Sequence, residues 1–503
     1  MKLLEMKNIT KKFGENIIAN ENVNFEVEQG EVHALLGENG AGKSTLMNIL
    51  CGVYKPTSGE MRLHGKKISM SGASDAQKLG IGMVHQHFMI IQNMLVIENV
   101  ILGTHNTAVL NLKKAARKFT DLSRKYGMEI DPFAKVSELT VGQQQRLEIL
   151  KVLYRGAELI ILDEPTAILT PEEVDGLYDI IRMLVKEGKT VIFITHKMKE
   201  VMEVCNRCTI LRNGRSVQTM EISKINSVEQ LANMMVGKEV ELTITKKACN
   251  PGKEILRIVN LECKDNSGKN VLSDINFGIR SGEILGVAGV DGNGQSELVA
   301  CITGLRKTSG GAVIINGESV NNTSVKEVLR HGVAHIPEDR HRFGIIGDMS
   351  VMENLMLMSS DKKEYSKNGI ICEKWIKEHC EKIIEEFDVK TSGVRIEAGH
   401  LSGGNQQKLV IGRELEWKPE LIIAMHPDRG LDIGAAKYIQ NRLIKERDRG
   451  AAILMVSAEL DEIMELSDRI LVMSEGHIAG ILDASDVTKE QVGVLMTGGR
   501  ECN

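Results

Sequence analysis

What constrains this chain most is that it is written twice. The segment EQGEVHALLGENGAGKSTLMNILCG, from Glu28, reads alongside RSGEILGVAGVDGNGQSELVACITG, from Arg280, with Gly37 matching Gly289 at an offset of 252. Gln86 and Glu338 keep that offset. Farther on, ELTVGQQQRLEIL matches HLSGGNQQKLVIG with Leu139 and Leu401 at 262, and Pro165/Pro427 and His196/Ala458 hold it. A repeat this long means two copies of one structural unit. The ten residues gained between Glu338 and Leu401 are expected as one insertion in a surface loop or subdomain, around Asp361 to Trp375. The charged stretch Gly237 to Glu254, with its Pro-Gly turn signal, marks the expected boundary. This gives a first domain over 1–240, a linker over 241–253 and a second domain over 254–503.

Short β-branched apolar runs alternate with helical patterns in each copy. VIFITH (Val191 to His196), LIIL (Leu159 to Leu162) and AAILMVS (Ala451 to Ser457) read as buried parallel strands. PEEVDGLYDIIRMLVKEG (Pro171 to Gly188) reads as a helix with Pro in its first turn and Gly at its end. The expected class is α/β, with a mainly parallel sheet and flanking helices in each half. Hydrophobic residues at 42% and charged residues at 26% fit a globular protein, not a disordered one. With 63 Lys+Arg against 68 Asp+Glu, the net charge of −5 argues against a general nucleic-acid binder. No apolar run approaches the roughly 18 residues of a membrane span, and no apolar signal peptide opens the chain, so a cytosolic protein is expected. Cys205 and Cys208, at i and i+3, would need further ligands to make a metal or redox centre.

The first copy carries Gly37-Glu38-Asn39-Gly40-Ala41-Gly42-Lys43-Ser44, the pattern G-x-x-x-x-G-K-[ST], after the strand VHALL and before the helical run opened by Thr45. Its glycines let backbone N–H groups and a helix N-terminus face anionic oxygens. Lys43 can reach the terminal phosphates and Ser44 can ligate Mg²⁺. Asp163 ends the strand LIIL, where a carboxylate can hold Mg²⁺ through water; Glu164 follows, placed to polarise an attacking water.

On these motifs the chain resembles a tandem ATP-binding-cassette ATPase of the simple-sugar and nucleoside importers, nearly end to end. The resemblance implies two P-loop domains in tandem, each with a helical subdomain, and ATP and Mg²⁺ as ligands. It makes Gln86, in MVHQHF, the Mg²⁺-sensing and permease-contacting loop residue. His196, in FITHK, becomes the switch histidine near the γ-phosphate, and Phe13, in KKFG, the aromatic that stacks on adenine. Taken singly, Phe13 reads equally as core, Gln86 as a solvated turn residue and His196 as a satisfied strand-end histidine; their order around the phosphate loop favours the functional roles.

In such proteins two cassettes pack head to tail, each nucleotide lying between one phosphate loop and the other cassette's LSGGQ-like signature. The second copy has Leu401-Ser402-Gly403-Gly404-Asn405, near the full signature; the first has Leu139-Thr140-Val141-Gly142-Gln143. The cores degrade in the opposite sense: Gln295 replaces the lysine, Met425 the aspartate, His426 the glutamate and Ala458 the histidine, with Glu338 at the glutamine position. One competent composite site is therefore expected: Lys43, Ser44, Gln86, Asp163, Glu164 and His196, closed by Ser402, Gly403 and Gly404. Partners implied are two integral membrane permease subunits and an extracytoplasmic substrate-binding protein, with the chain peripheral on the cytoplasmic face of a bacterial plasma membrane. The wording of the variant motifs, among them IPEDRHRFG, looks most like the purine-nucleoside branch, associated with basic membrane lipoproteins. The alternatives are monosaccharide import and, in another class, a non-transport tandem ATPase acting on ribosomes or DNA. His85 and His87 read as loop surface, and Lys113 to Lys125 as the solvated face of a basic helix.

Overall fold

Strands Val32–Leu36, Leu159–Asp163 and Thr190–Thr195 are buried along almost their whole length, as expected of parallel strands covered on both faces. With Ile81–Val84 and Arg207–Arg212 they build a parallel sheet, to which Arg215–Glu221 adds an antiparallel edge. In register, Leu36 pairs with Thr195 and Asp163 with Ile194. The phosphate loop, the acidic pair and His196 therefore leave the sheet at one edge, the carboxyl end where α/β sheets bind ligands. Helix Pro171–Lys186 starts with Pro behind a Thr170/Glu173 capping box, close to its sequence bounds.

The computed structural model describes all residues except 15–16, 87, 104–110, 167–168, 238–243, 245, 266, 291, 359–365, 368–369, 497 and 499–503. It divides into two units, Met1–Val240 and Glu241–Asn503. The second repeats the six-stranded sheet with the same neighbours: Val333–Ile336, Leu421–Met425, Ala452–Val456, Ile284–Ala288, Arg469–Ser474 and His477–Asp483. Along Ile284–Ala288, Ile284 and Ala288 face one apolar cluster while Leu285 and Val287 face another, so this sheet separates two cores. Helices Val96–Ile101, Leu112–Lys125 and Val141–Tyr154 pack on one another as a helical subdomain, matched by Val351–Met356, Glu373–Glu386 and Gly403–Leu415. On the basic helix Leu112–Lys125 only Ala115, Ala116, Phe119 and Ser123 are buried, leaving the lysines and arginines on the outer face.

Several features depart from the sequence reading. Each unit carries a second, four-stranded antiparallel sheet; in the first it is formed by Ile17–Glu28, Lys2–Phe13, Ser58–Leu63 and Lys66–Ile68. Register shifts along Lys2–Phe13 break the two-residue alternation that would have announced it. The ten extra residues are not one insertion either. Asn99 and Asn354 make the same bonds to Ile91 and Ile346, at an offset of 255, so three residues enter between Glu338 and Ile346. They form a π turn over Arg340–Gly344, and only the other seven fall beyond Asn354, in a stretch containing the hairpin Ser366–Lys367/Ile370–Ile371. Part of the expected linker is anchored to the second unit: Arg447 donates to Lys247 O at 3.0 Å and Gly252 N to Ser281 O at 2.9 Å. The eight described cysteines are free, and burial pushes the Cys205 thiol well up and that of Cys208 to about 11, the state of inert core thiols.

Candidate nucleotide site

The first phosphate loop leaves the buried strand at Gly37 and re-enters structure in helix Lys43–Leu50, capped by Gly42 at φ 97°. No side chain fits at Gly42: a Cβ would meet Ala19 O at 2.4 Å. Gly40, at φ 82°, supplies the other left-handed turn. Leu46, Met47, Ile49 and Leu50 bury the far face of the helix, fixing its N-terminus toward the loop. Lys43 is buried, and its Nζ donates to Gly37 O at 2.6 Å and Glu38 O at 3.1 Å. Burial lowers its pKa, opposed by the charges of Glu164, Asp163 and Glu38. Ser44 and Asn39 are exposed and Thr45 half-buried on the loop side.

Glu164 is the hub of the arrangement. His196 Nδ1 lies 3.0 Å from its Oε1, and Gln86 Nε2 donates to its Oε2 at 3.1 Å. Two residues far apart in sequence thus converge on one carboxylate. Burial pushes that carboxyl up, but the His196 hydrogen bond and the charges of His196, Lys43 and Lys197 outweigh it and hold it below the usual range. Asp163, beside it, is pushed up to about 6 by burial and by the Glu164 charge, with Lys43 opposing. A hydroxyl (Ser44), a carboxylate (Asp163) and an amide (Gln86) are the hard oxygen donors that suit Mg²⁺, and a cation beside Asp163 would relieve the cost of its charge. The donor set fits the metal.

Glu164 also has a left-handed backbone, φ 44°, and its counterpart His426 has φ 45°. The strained turn is therefore a property of the strand end, retained where the carboxylate is lost. In the second unit Gln295 opens helix Gln295–Ile302 behind Gly294 at φ 103°, and its Nε2 donates to Val290 O at 3.2 Å. Met425 is buried at the strand end, and His426 Nδ1 accepts from Ala458 N at 3.2 Å, which spends that nitrogen on structure. Glu338 does not turn to His426; it pairs with Arg429. Ser402, Gly403 and Gly404 stand in this unit at the start of helix Gly403–Leu415, where Ser402 Oγ accepts from Asn405 Nδ2 at 2.8 Å.

Phe13 is half-buried, edge-on to Tyr54 with centroids 5.3 Å apart, and Lys11 Nζ lies 5.0 Å and 5.5 Å from the two ring centres. Sequence reasoning missed Tyr54 and Lys11, since Tyr54 follows the phosphate-loop helix with no local mark of its partner. It missed Glu200 too, which accepts from Thr166 at 2.5 Å and Thr195 at 2.9 Å and ties the loop after the acidic pair to the strand before His196. His85 is half-buried rather than surface, and burial lowers its pKa; His87 lies outside the described residues.

The family profile described as ABC transporter matches residues 20–167 and again 272–427. The nucleoside import ATP-binding protein NupA of Lactococcus lactis subsp. cremoris is 46% identical over 99% of this chain and 98% of its own. The guanosine import ATP-binding protein NupO of Bacillus subtilis is likewise 46% identical, over 99% and 98%. The ribose import ATP-binding protein RbsA of Bacillus licheniformis is 38% identical over 99% of this chain and all of its own. With the family profile matched in both units and relatives 46% identical over nearly the whole chain, this chain belongs to the ABC transporter family as a tandem ATP-binding-cassette ATPase.

Proposed function

We propose that the chain hydrolyses ATP to energise a nucleoside importer, at the catalytic cluster of the first unit. The observation that carries the catalytic half is the convergence of Gln86 and His196 on Glu164 beside Lys43. Phosphoryl transfer asks a protein mainly for positioning and charge. The loop N–H groups and Lys43 hold the β- and γ-phosphates, while Phe13, backed by Tyr54, offers a face to adenine. Ser44, Asp163 and Gln86 would hold Mg²⁺, which would neutralise charge on the phosphate oxygens. Glu164, kept ionised and aimed by His196, orients the attacking water and receives its proton. Ser402, Gly403 and Gly404 open helix Gly403–Leu415 with a hydroxyl and backbone N–H groups that suit a phosphate.

The second unit's own core has neither base nor metal carboxylate, so hydrolysis there is not part of the scheme. No described helix is long and apolar enough to cross a membrane. The import ATP-binding relatives support a division of labour with two permease subunits and an extracytoplasmic substrate-binding protein, the chain sitting peripherally on the cytoplasmic face. The higher identity to the nucleoside and guanosine import proteins than to the ribose import protein supports nucleoside cargo. Reconstituting the chain with its permeases tests this: nucleosides presented with the binding protein should stimulate ATP hydrolysis. Stimulation by ribose alone would transfer the reading to sugar import, and co-purification with ribosomes would end it.

A further inference from the structure

One helix of the two helical subdomains appears in both units with opposite charge. In the first unit Leu112–Lys125 holds six basic residues and one acidic, Asp121. Its counterpart Glu373–Glu386 in the second unit holds three basic residues and five acidic. The whole chain carries a net charge of −5, so the positive excess on the first helix is local and does not follow from composition.

That helix also goes against what stabilises a surface helix. Lys113 and Lys114 stand in its first turn, where the backbone dipole favours acids, and no acid is there; the counterpart opens on Glu373. Lys113 precedes Arg117 by four residues, and Lys114 precedes Lys118 by four, a repulsive spacing for like charges. The counterpart instead pairs Lys377 with Glu381 at 3.7 Å. Ala115, Ala116, Phe119 and Ser123 form the buried stripe, so all six cations lie on the exposed arc opposite it. Two of them are held: Lys118 Nζ donates to Tyr154 O at 3.3 Å, and Lys125 pairs with Glu187 at 2.5 Å. The side chains of Lys113, Lys114, Arg117 and Arg124 have no hydrogen-bond or ion-pair partner among the described residues. From Lys113 to Arg124 the helix rises about 16 Å, longer than a single small anion can cover.

Resting on the reading of the chain as a peripheral subunit of an importer, we propose that the exposed face of helix Leu112–Lys125 docks on a bilayer containing anionic lipids, with Lys113, Lys114, Arg117 and Arg124 against the headgroups. Charge complementarity identifies the partner: a plane of headgroup anions can meet the whole row at once and relieve its internal repulsion. Leu112, 37% exposed ahead of the two lysines, adds an apolar contact suited to the headgroup boundary. The negative net charge of the chain disfavours nucleic acid as the polyanion.

The test is co-sedimentation of the full chain, without permeases, with vesicles of phosphatidylcholine alone or mixed with phosphatidylglycerol. Binding should require phosphatidylglycerol and be lost at about 1 M salt, where screening acts within about 3 Å. Lys113→Gln, Lys114→Gln and Arg117→Gln together should weaken binding at least twentyfold, at about fivefold per charge near such a surface. These replacements relieve repulsion within the helix, so an unchanged Tm should show that the fold is kept. In the second unit's helix, Lys374→Gln, Lys377→Gln and Lys382→Gln together should change binding less than twofold. Equal binding to phosphatidylcholine, no binding to either vesicle, equal losses from the two triple variants, or tighter binding to duplex DNA than to the mixed vesicles would overturn the inference. Nucleoside-stimulated ATP hydrolysis with the permeases reports on the importer reading separately: its absence, with vesicle binding intact, would end that reading and leave the lipid surface standing.

Discussion

Replacing Glu164 by Gln removes a charge and almost nothing else. The side chain keeps its length, its carbonyl can still accept from Gln86 Nε2, and its amide can donate to His196 Nδ1, the atoms now 3.1 Å and 3.0 Å from the carboxylate. The left-handed backbone at φ 44° costs Gln no more than Glu. Thermal unfolding should therefore shift by only about 2 °C. Chemistry should not survive so well. A positioned general base is worth about 10² to 10⁴ in rate, or about 3 to 5 kcal/mol of barrier, and an amide can accept no proton from water at neutral pH. Loss of the Glu164 charge also removes one of the two influences that push Asp163 up to about 6, so Asp163 stays ionised more readily and nucleotide affinity should be retained. The assay pairs steady-state phosphate release with equilibrium MgATP binding. Turnover should fall at least a hundredfold while binding stays within a few-fold of the parent. A variant that keeps a tenth of parental turnover would refute Glu164 as the base.

Three further outcomes follow from the same geometry. With burial and the Glu164 charge pushing Asp163 up to about 6, Mg²⁺ affinity should fall about tenfold for each pH unit below that value, measured by metal titration of nucleotide binding. Because its folded pKa lies above the unfolded one, Asp163 lowers stability at neutral pH; the cost is absent below pH 4, grows between about 4 and 6, and Asp163→Asn should remove up to about 3 kcal/mol of it in denaturant melts at pH 7.5. Asp428 and Glu462 are buried against each other, and burial raises both carboxyls. Asp428→Thr, which copies the Thr166–Glu200 bond of the first unit, should raise Tm more at pH 8 than at pH 5, since the pair must be kept from ionising as pH rises; an equal gain at both pH values would contradict this.

How much of this was legible in the sequence depended on distance along the chain. The phosphate loop is contiguous, so its glycines and Lys43 declare their geometry locally, and the buried strands declare theirs by unbroken apolar runs. Gln86 and Glu164 lie 78 residues apart and His196 another 32 on; nothing local joins them, and only resemblance to a known pattern brought them together. The antiparallel sheets escaped notice because bulges disrupt their alternation. The bonds of Glu200 to Thr166 and Thr195 are products of packing between elements whose spacing carries no signal. Even the insertion that creates the Arg340 turn was hidden, since repeat offsets give only the net gain and not where each residue enters.

The central claim is that one half of the chain does the chemistry. Steady-state ATP hydrolysis by Lys43→Ala and Gln295→Ala, the matching positions of the two phosphate loops, tests it most directly. Lys43 sits in the field of Asp163 and Glu164, whereas Gln295 merely closes its own loop onto Val290 O. The account predicts that Lys43→Ala abolishes both turnover and nucleotide retention, and that Gln295→Ala keeps most of the parental rate. Loss of hydrolysis in Gln295→Ala would contradict it.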